Sequence, residues 1–427
     1  MLYVFNMALW QWILPPILIL TAILCAIYMH GRPIVGFGSI IRKIVLGLIR
    51  GKNRRQNRAV FCNALGAAMG TGNLVGTALA LMTGGPGAIF WMWISALLGI
   101  VLSYAENLLG CRFRKILPDG SVRGGALALL HEGLGQTAAA FLFAVCCSAA
   151  GLGMGNLAQT GTIAETAAVY GIPRFVSGVV TAMLLLIILG RKRKHASRFL
   201  SVFMPLLCLF FLVGCSVMLI HHVDKLPSTI AEILRSALGW KAAGGGFAAS
   251  ALMQSFSVGI RRGIFSNEAG LGTSGMLHAA ADTDSEIHPA ELAAAEVFFD
   301  TFICCSMTAL VILCSRPCRE GNAAEILLCA FQSGLGDFAG AFLSLSLIMF
   351  AFATAVGWFS CGASAFCYLF GSKSEPFYLA LWVFTAFAGA FGSPEWIWAF
   401  SDCCNGIMAL PNLYAILRLM FRNRTVE

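Results

Sequence analysis

Two apolar stretches that glycines interrupt decide the fold: Gly66-Ala-Ala-Met-Gly70-Thr71-Gly72-Asn73-Leu-Val-Gly76 and Ser257-Val-Gly259-Ile-Arg261-Arg262-Gly263-Ile-Phe-Ser266-Asn267-Glu268-Ala-Gly270-Leu-Gly272. Glycine is costly inside a helix, and lipid offers no hydrogen-bond partner to a freed N–H or C=O group. Non-helical backbone at membrane depth therefore persists only where it lines a cavity. One interrupted helix in each half of a membrane protein indicates the substrate site of a secondary transporter.

The composition is that of a membrane protein. Hydrophobic residues make up 58% of the 427-residue chain and charged residues 11%, whereas about 25% of the residues in a soluble domain are charged. Apolar runs near the ~20 residues that cross a bilayer recur along the chain. We predict eleven membrane spans, at residues 10–29, 60–82, 86–110, 137–167, 175–190, 199–221, 250–275, 291–314, 338–369, 376–391 and 395–417.

Lysine and arginine counts in the connecting segments orient these spans. With the N-terminus outside, the inner segments carry 21 of the 29 basic residues and the outer segments carry 6. This bias matches the excess of positive charge on the inner side of membrane proteins. It also accounts for most of the net charge of +9, so no nucleic-acid partner is needed to explain it. We expect a multi-pass protein of the cell membrane, in contact with the lipid bilayer.

The spans form one membrane domain with two halves. The first span has no basic region before it and no cleavage site after it, so we predict a retained, peripheral helix rather than a signal peptide. Residues 1–59 hold this helix and a basic inner loop, and five spans follow in each of 60–221 and 222–427. An odd number of spans per half places the halves in opposite orientations, as in inverted repeats. A short helical pattern at 321–332 is either an extracellular lid or a plain amphipathic surface helix.

Several motifs then appear in a specific order. They are Gly70-Thr-Gly-Asn73, Gly84-Gly-Pro-Gly-Ala88, Trp91-Met-Trp93, Gly155-Asn156-Leu-Ala-Gln159, Arg262-Gly-Ile-Phe-Ser-Asn-Glu-Ala-Gly-Leu-Gly272, Asp300-Thr301, Met307-Thr-Ala-Leu310 and Gly357-Trp358. From about residue 60 to 370, this series resembles the alanine or glycine:cation symporter family. The resemblance implies an all-α, leucine-transporter-type fold of five-plus-five inverted repeats with one extra N-terminal helix. It implies no enzymatic activity and no cofactor. Sodium, or a proton, would drive symport of a small neutral amino acid such as alanine or glycine by alternating access.

A zwitterionic amino acid needs unpaired N–H groups for its carboxylate. The first N–H groups of a helix lack partners within the helix and lie at the positive end of its dipole. Gly70, Thr71, Gly72 and Asn73 stand where the first interrupted helix should restart, so we predict that they bind substrate. Tight helix–helix packing through small residues spaced four apart is the alternative explanation for these glycines.

The resemblance adds Gln159, Gly259 and Trp358 to the predicted substrate contacts. An interhelical hydrogen bond is the alternative role for the amide of Gln159. Trp358 lies one helical turn after Thr354, where its ring would exclude large substrates. A lipid-facing or interfacial tryptophan is the alternative.

The fold analogy also implies a sodium site. The carbonyl groups of Gly66, Met69 and Ala351 and the hydroxyl of Thr354 would bind the ion, because interrupted helices expose carbonyl groups. The chain has Ala353-Thr354 where the family tends to have two threonines, which leaves the choice between sodium and proton open. As the alternative, Thr354 would bond a carbonyl one turn earlier in its own helix.

Charged residues within predicted spans are candidates for function. Arg261, Arg262 and Glu268 could pair with each other or face water at the inner mouth. We predict a structural or gating ion pair rather than a substrate contact. Asp300 has the same two interpretations, and Glu106 is expected near a membrane face.

Two other functions fit the sequence less well. Gly272-Thr-Ser274-Gly275 matches the G-x-S-G pattern of rhomboid-type serine proteases, with His278 four residues further on. A match of four residues is weak, since tertiary geometry places a nucleophile and its base. An ion channel is disfavoured because the sequence shows neither rings of acidic residues nor a repeated filter loop.

Overall fold

The computed structural model describes residues 2–50, 53–118, 120, 122–190, 193–238, 246–279, 288–316, 321–392 and 395–422. These residues are almost all helical. The two short strands β1 (Lys115–Ile116) and β2 (Val122–Arg123) pair antiparallel and connect two of the helices.

The helices of the first half are α1 (Tyr3–Tyr28), α2 (Arg32–Val35), α3 (Phe37–Arg50), α4 (Arg54–Ala68), α5 (Val75–Gly84), α6 (Gly87–Phe113), α7 (Gly125–Ala128), α8 (Thr137–Ala168), α9 (Arg174–Leu189) and α10 (Arg193–His221). The helices of the second half are α11 (Leu226–Leu238), α12 (Gly246–Asn267), α13 (Thr273–His278), α14 (Pro289–Ser315), α15 (Ala323–Leu335), α16 (Phe338–Phe370), α17 (Glu375–Gly389) and α18 (Glu395–Arg422). Wider π-helical turns occur at Leu129–Gly133, at Gly151–Leu157 within α8 and at Phe298–Cys305 within α14.

Seven helices among the described residues are long and apolar enough to cross a membrane: α1, α6, α8, α10, α14, α16 and α18. The pair α4 and α5 would add an eighth span, bent by 61° at its break. Each of the eleven predicted segments lies largely in helix. The chain is therefore a multi-pass, all-α membrane protein.

The first interruption falls where the sequence predicts it. Helix α4 ends at Ala68, Gly70 is extended (φ −114°, ψ −155°), and a single 3₁₀ turn covers Thr71–Asn73 before α5 begins. The backbone is thus non-helical between two halves of one membrane-crossing segment.

The second interruption lies further along than the glycine pattern suggested. Helix α12 runs unbroken through Gly259 and Gly263, and the break comes at 268–272, where Glu268, Gly270 and Gly272 have φ of +52°, +80° and +95°. Gly259 is a packing glycine, because a Cβ there would collide with the carbonyl oxygen of Ala88 on α6. We therefore correct the predictions that Gly259 lies in the broken region and that it contacts substrate.

Two helices lie at the margin of the bundle. Helix α1 buries Leu14 and Leu18 and exposes Leu20 and Ile23, so only one of its faces packs on the protein.

Helix α15 covers the segment predicted to be helical at 321–332. Asn322 caps its first turn by accepting from the N–H groups of Ala324 and Glu325, both at 3.0 Å. Its buried face includes Phe331, and Cys329 is exposed.

Candidate functional site

A cavity of about 120 Å³ lies between the two helix breaks. Its volume is well below the roughly 300–1,000 Å³ of pockets for drug-sized ligands. Six predicted site residues line it, namely Gly70, Thr71, Gly72, Gln159, Thr354 and Trp358, and they share it with Ala67, Ala68, Val75, Gly76, Leu79, Met154, Arg262, Phe265, Ser266 and Glu268. Four distant parts of the chain thus converge on one small space.

The first break presents free donors to this cavity. Within the described residues, the N–H groups of Thr71 and Gly72 have no hydrogen-bond partner, whereas those of Gly70 and Asn73 bond to Ala68 and Gly70 carbonyls. A Cβ added at Gly72 would meet nothing within 4 Å. Two adjacent amides are therefore available to an anionic group.

Gln159 lines the cavity next to the 3₁₀ turn of the first break. The Thr71 hydroxyl donates to its Oε1 at 3.4 Å, and its Nε2 donates to the Met154 carbonyl at 3.2 Å. Met154 belongs to the π-helical turn of α8, where the wider turn leaves a carbonyl free for a side chain. The side chain is thus oriented from both ends of its amide.

Two of the predicted sodium ligands are in contact. The Thr354 hydroxyl lies 3.3 Å from the Met69 carbonyl, to which it donates. This hydrogen bond crosses between α16 and the first break, so Thr354 does not act only within its own helix. Gly66 packs beside Ala353, because a Cβ at Gly66 would lie 3.5 Å from the Ala353 carbonyl oxygen. Ala351 is buried in α16.

Asn73 does not line the cavity. Its amide is fully buried and donates to Asp300 Oδ1 at 2.6 Å. The other oxygen of Asp300 accepts from Ser266 at 2.6 Å and from Thr301 at 2.9 Å. Asp300 thus joins the first interrupted segment to α12 through the π-helical turn of α14. This network corrects the prediction that Asn73 contacts substrate, and it gives Asp300 a structural role.

The predicted ion pair of the second interrupted helix is also corrected. Glu268 accepts from Trp358 Nε1 at 2.8 Å and from the Thr273 hydroxyl at 2.9 Å. Among the described residues, neither Arg261 nor Arg262 lies within ion-pair distance of it. The break turns the Glu268 side chain toward α16 instead, because its backbone has left the helix at φ +52°.

Arg262 is a lining residue that the sequence did not single out as a substrate contact. Its Nε is buried and, within the described part of the chain, has no hydrogen-bond partner. Arg262, Phe265 and Ser266 all line the cavity from one face of α12. Their spacing of three and four residues is the signal that could have found them.

Glu106 is fully buried within the protein, where it accepts from the Gly275 N–H at 2.8 Å and from Asn412 Nδ2 at 2.9 Å. The Ser274 and His278 pair of the alternative protease interpretation is likewise buried, outside the cavity.

Comparison with known proteins gives a consistent result. The profile of the sodium:alanine symporter family matches residues 1–425. An uncharacterized transporter of Haemophilus influenzae is 36% identical over 86% of this chain and 82% of its own. The sodium/alanine symporter AgcS of Methanococcus maripaludis is 33% identical over 83% and 80%. The probable sodium/glutamine symporter GlnT of Bacillus subtilis is 32% identical over 87% and 77%.

One solved structure shows a similar fold. The manganese transporter of Eremococcus coleocola superposes with a TM-score of 0.51 at 13% sequence identity, over 84% of this chain and 76% of that one. Similarity at this level of identity concerns the fold alone.

Proposed function

This chain belongs to the sodium:alanine symporter family, a family of transporters rather than enzymes, and on that premise we propose that it carries alanine or glycine through the cell membrane with sodium. The observation that carries the proposal is the cavity between the two helix breaks, with the unpaired N–H groups of Thr71 and Gly72 on its wall. Such groups at a helix start are suited to a carboxylate.

The charges around the cavity suit a zwitterion. Of the residues that line it, Arg262 is the one cation and Glu268 the one anion. An ionised carboxylate and an ammonium group each lose hydration on entering a dry site, so both need opposite charges or dipoles there. We assign the substrate carboxylate to the Thr71 and Gly72 amides and its ammonium group to the side of Glu268.

The size of the cavity favours alanine and glycine over glutamine. At about 120 Å³ the cavity is less than half the roughly 300 Å³ at which pockets for drug-sized ligands begin, so it leaves little room for a long side chain. Trp358 is fully buried and hydrogen-bonded to Glu268, which fixes its ring as one wall.

Sodium enters the proposal as the second substrate. The Met69 carbonyl and the Thr354 hydroxyl already face each other at 3.3 Å, and the carbonyls of Gly66 and Ala351 would complete the oxygen ligands. The site adjoins the cavity because Gly70 and Thr354 line it. Binding of the ion would then stabilise the same broken turn that receives the substrate.

The scaffold proposed for this transport is a five-plus-five inverted repeat with one extra N-terminal helix, about eleven spans in all, which works by alternating access. Support comes from the two breaks, one in each half, which face each other across the cavity. Helices that are already interrupted at mid-length can change their angle at low cost, because no intrahelical hydrogen bonds cross the break.

Uptake by the purified full-length protein in lipid vesicles tests the function. Labelled alanine should accumulate above its external concentration only under an inward sodium or proton gradient, and Thr83→Ala, at an exposed threonine outside the cavity, should transport like the wild type. Alanine that merely equilibrates, whatever ion gradient is applied, would rule out symport.

A further inference from the structure

Four carboxyl groups are buried in the described part of the chain: Glu106, Glu268, Glu296 and Asp300. No lysine or arginine forms an ion pair with any of them in that part. Each ionised carboxylate without a cation costs several kcal/mol in a dry interior, and like charges raise this cost. At least some of these groups must therefore bind protons or a cation.

The contact between His278 and Glu296 lacks the hydrogen that a hydrogen bond would need. The Nδ1 of His278 lies 3.0 Å from the Ser274 carbonyl oxygen. A carbonyl only accepts, so Nδ1 carries the hydrogen and Nε2 of the neutral ring is a bare lone pair. This Nε2 is buried, has no hydrogen-bond partner among the described residues, and points at Glu296 Oε2 across 3.7 Å.

Two acceptors that face each other in a dry interior repel unless a proton lies between them. A proton on Glu296 Oε2 would let this carboxylic acid donate to the Nε2 lone pair after an approach of less than 1 Å. The Ser274 hydroxyl, which accepts from Asn107 Nδ2 at 3.2 Å, lies 3.4 Å from the same Glu296 oxygen, to which it donates.

The pair is linked to the cavity by a short chain of polar groups. Ser274 follows Thr273, whose hydroxyl donates to Glu268 Oε2 at 2.9 Å, and Glu268 lines the cavity. The charged or titratable groups around Glu296 in the described residues are Glu106 on α6, Glu268 at the second break, Asp300 in α14, His278 on α13 and Cys361 on α16. On the other side of α14, Lys43 is already paired with Glu291 at 2.9 Å.

We propose that His278 and Glu296 form a proton-binding site, and that the transport cycle carries a proton there. Water on one side of the membrane supplies the proton to Glu296 Oε2, the resulting carboxylic acid donates a hydrogen bond to His278 Nε2, and water on the other side takes the proton back. Only the O–H bond forms and breaks. The proposal rests on the transport function proposed above, and it adds a second coupled cation at a site outside the substrate cavity.

The experiment has two independent readouts on the full-length protein. Infrared difference spectra of the purified protein between acid and alkaline pH should show a carboxylic-acid band that Glu296→Gln removes. Vesicles that contain a pH-sensitive dye should report proton entry when alanine is added without a sodium gradient. Glu296→Gln and His278→Gln should each lower this proton entry at least 10-fold. Glu165→Gln, at an exposed carboxylate of α8, is the control and should keep both signals.

The outcomes separate the two proposals. Sodium-driven alanine uptake with no proton entry in the wild type would overturn the proton site and leave the transport function standing. Loss of all alanine uptake would count against the transport function, and the infrared band would then decide the proton site alone. An acid band that sodium abolishes at constant pH would show a sodium ion at this pair and overturn the proposal. If Glu296→Gln does not fold, His278→Gln and the wild-type spectrum decide in the same way.

Discussion

The two helix breaks look alike in sequence but differ in what surrounds them. At the first break, the N–H groups of Thr71 and Gly72 are free within the described residues, and a Cβ at Gly72 would meet open space. At the second break, the Gly270 carbonyl accepts from Asn412 at 3.0 Å, and a Cβ at Gly270 would lie 2.5 Å from a Leu102 methyl group. The first break is therefore open to a ligand, and the second is packed against the protein. Glycine at the first break gives a ligand access to the backbone, whereas glycine at the second break permits the positive φ and the close packing.

Gly72→Val tests the open break and has the largest expected effect on transport. The branched side chain would project into the cavity and disfavour the open backbone, so uptake should fall more than 100-fold while the protein stays folded. Uptake by vesicles and the elution profile of the purified protein give the two measurements. Gly38→Val, at an exposed glycine of α3 with open space around it, is the control and should change neither. Normal uptake by Gly72→Val would mean that the cavity is not the substrate site.

Gly270→Ala tests the packed break. At φ +80°, alanine adds about 1–2 kcal/mol of backbone strain, and the contact with Leu102 adds about 1–3 kcal/mol of overpacking. The free energy of unfolding should fall by about 2–5 kcal/mol, seen as a lower midpoint of thermal unfolding. The fraction that remains folded should bind alanine normally. Unchanged stability together with lost binding would reverse the roles assigned to the two breaks.

Thr354→Ala tests the ion side of the open break. Removing one ion ligand should raise the sodium concentration needed for half-maximal uptake by about 10-fold, since a hydrogen bond or ligand to a charged group contributes about 1.5–3 kcal/mol. High sodium should restore much of the uptake, because ion and substrate binding are linked. Thr83→Ala again serves as the control. An unchanged sodium dependence would show that the proposed ion site is wrong.

Gln159→Ala tests the substrate side and has the smallest expected effect. Loss of its hydrogen bond to Thr71 should weaken alanine binding by about 5–10-fold, in line with about 1 kcal/mol for a neutral hydrogen bond. The sodium dependence should stay near that of the wild type. Gln136→Ala, which removes an exposed amide that bonds to Tyr414, is the matched control. A larger effect on sodium than on alanine would place Gln159 at the ion instead.

The first break could be read from the sequence because its cause is local. Three glycines within seven residues leave too few side chains to support a helix, and the structure breaks between Ala68 and Thr71. The second break could not be placed, because Gly259 and Gly263 remain helical through close packing on α6, and a sequence does not show which neighbour a glycine meets.

The hydrogen-bond partners of buried polar side chains also could not be predicted from the sequence. Asn73 stands inside the restart motif, yet it bonds to Asp300 more than 200 residues away. The positions of Gln159, Thr354 and Trp358 around one cavity came from the family resemblance and not from spacing, because tertiary folding brings them together. Their roles in transport stay predictions, and the variants above test those of Gln159 and Thr354.

The exposed thiol on α15 makes this protein suitable for fluorescence labelling without redesign. Among the cysteines that the structure describes, Cys329 alone is exposed, while the others are buried or partly covered. Of the thiols that the structure describes, this one is therefore the most accessible to a maleimide dye, and its helix packs against both α5 and α16. Since α16 carries Ala351 and Thr354 of the proposed ion site and α5 follows the first break, the emission of a dye on α15 would follow sodium and alanine binding in real time.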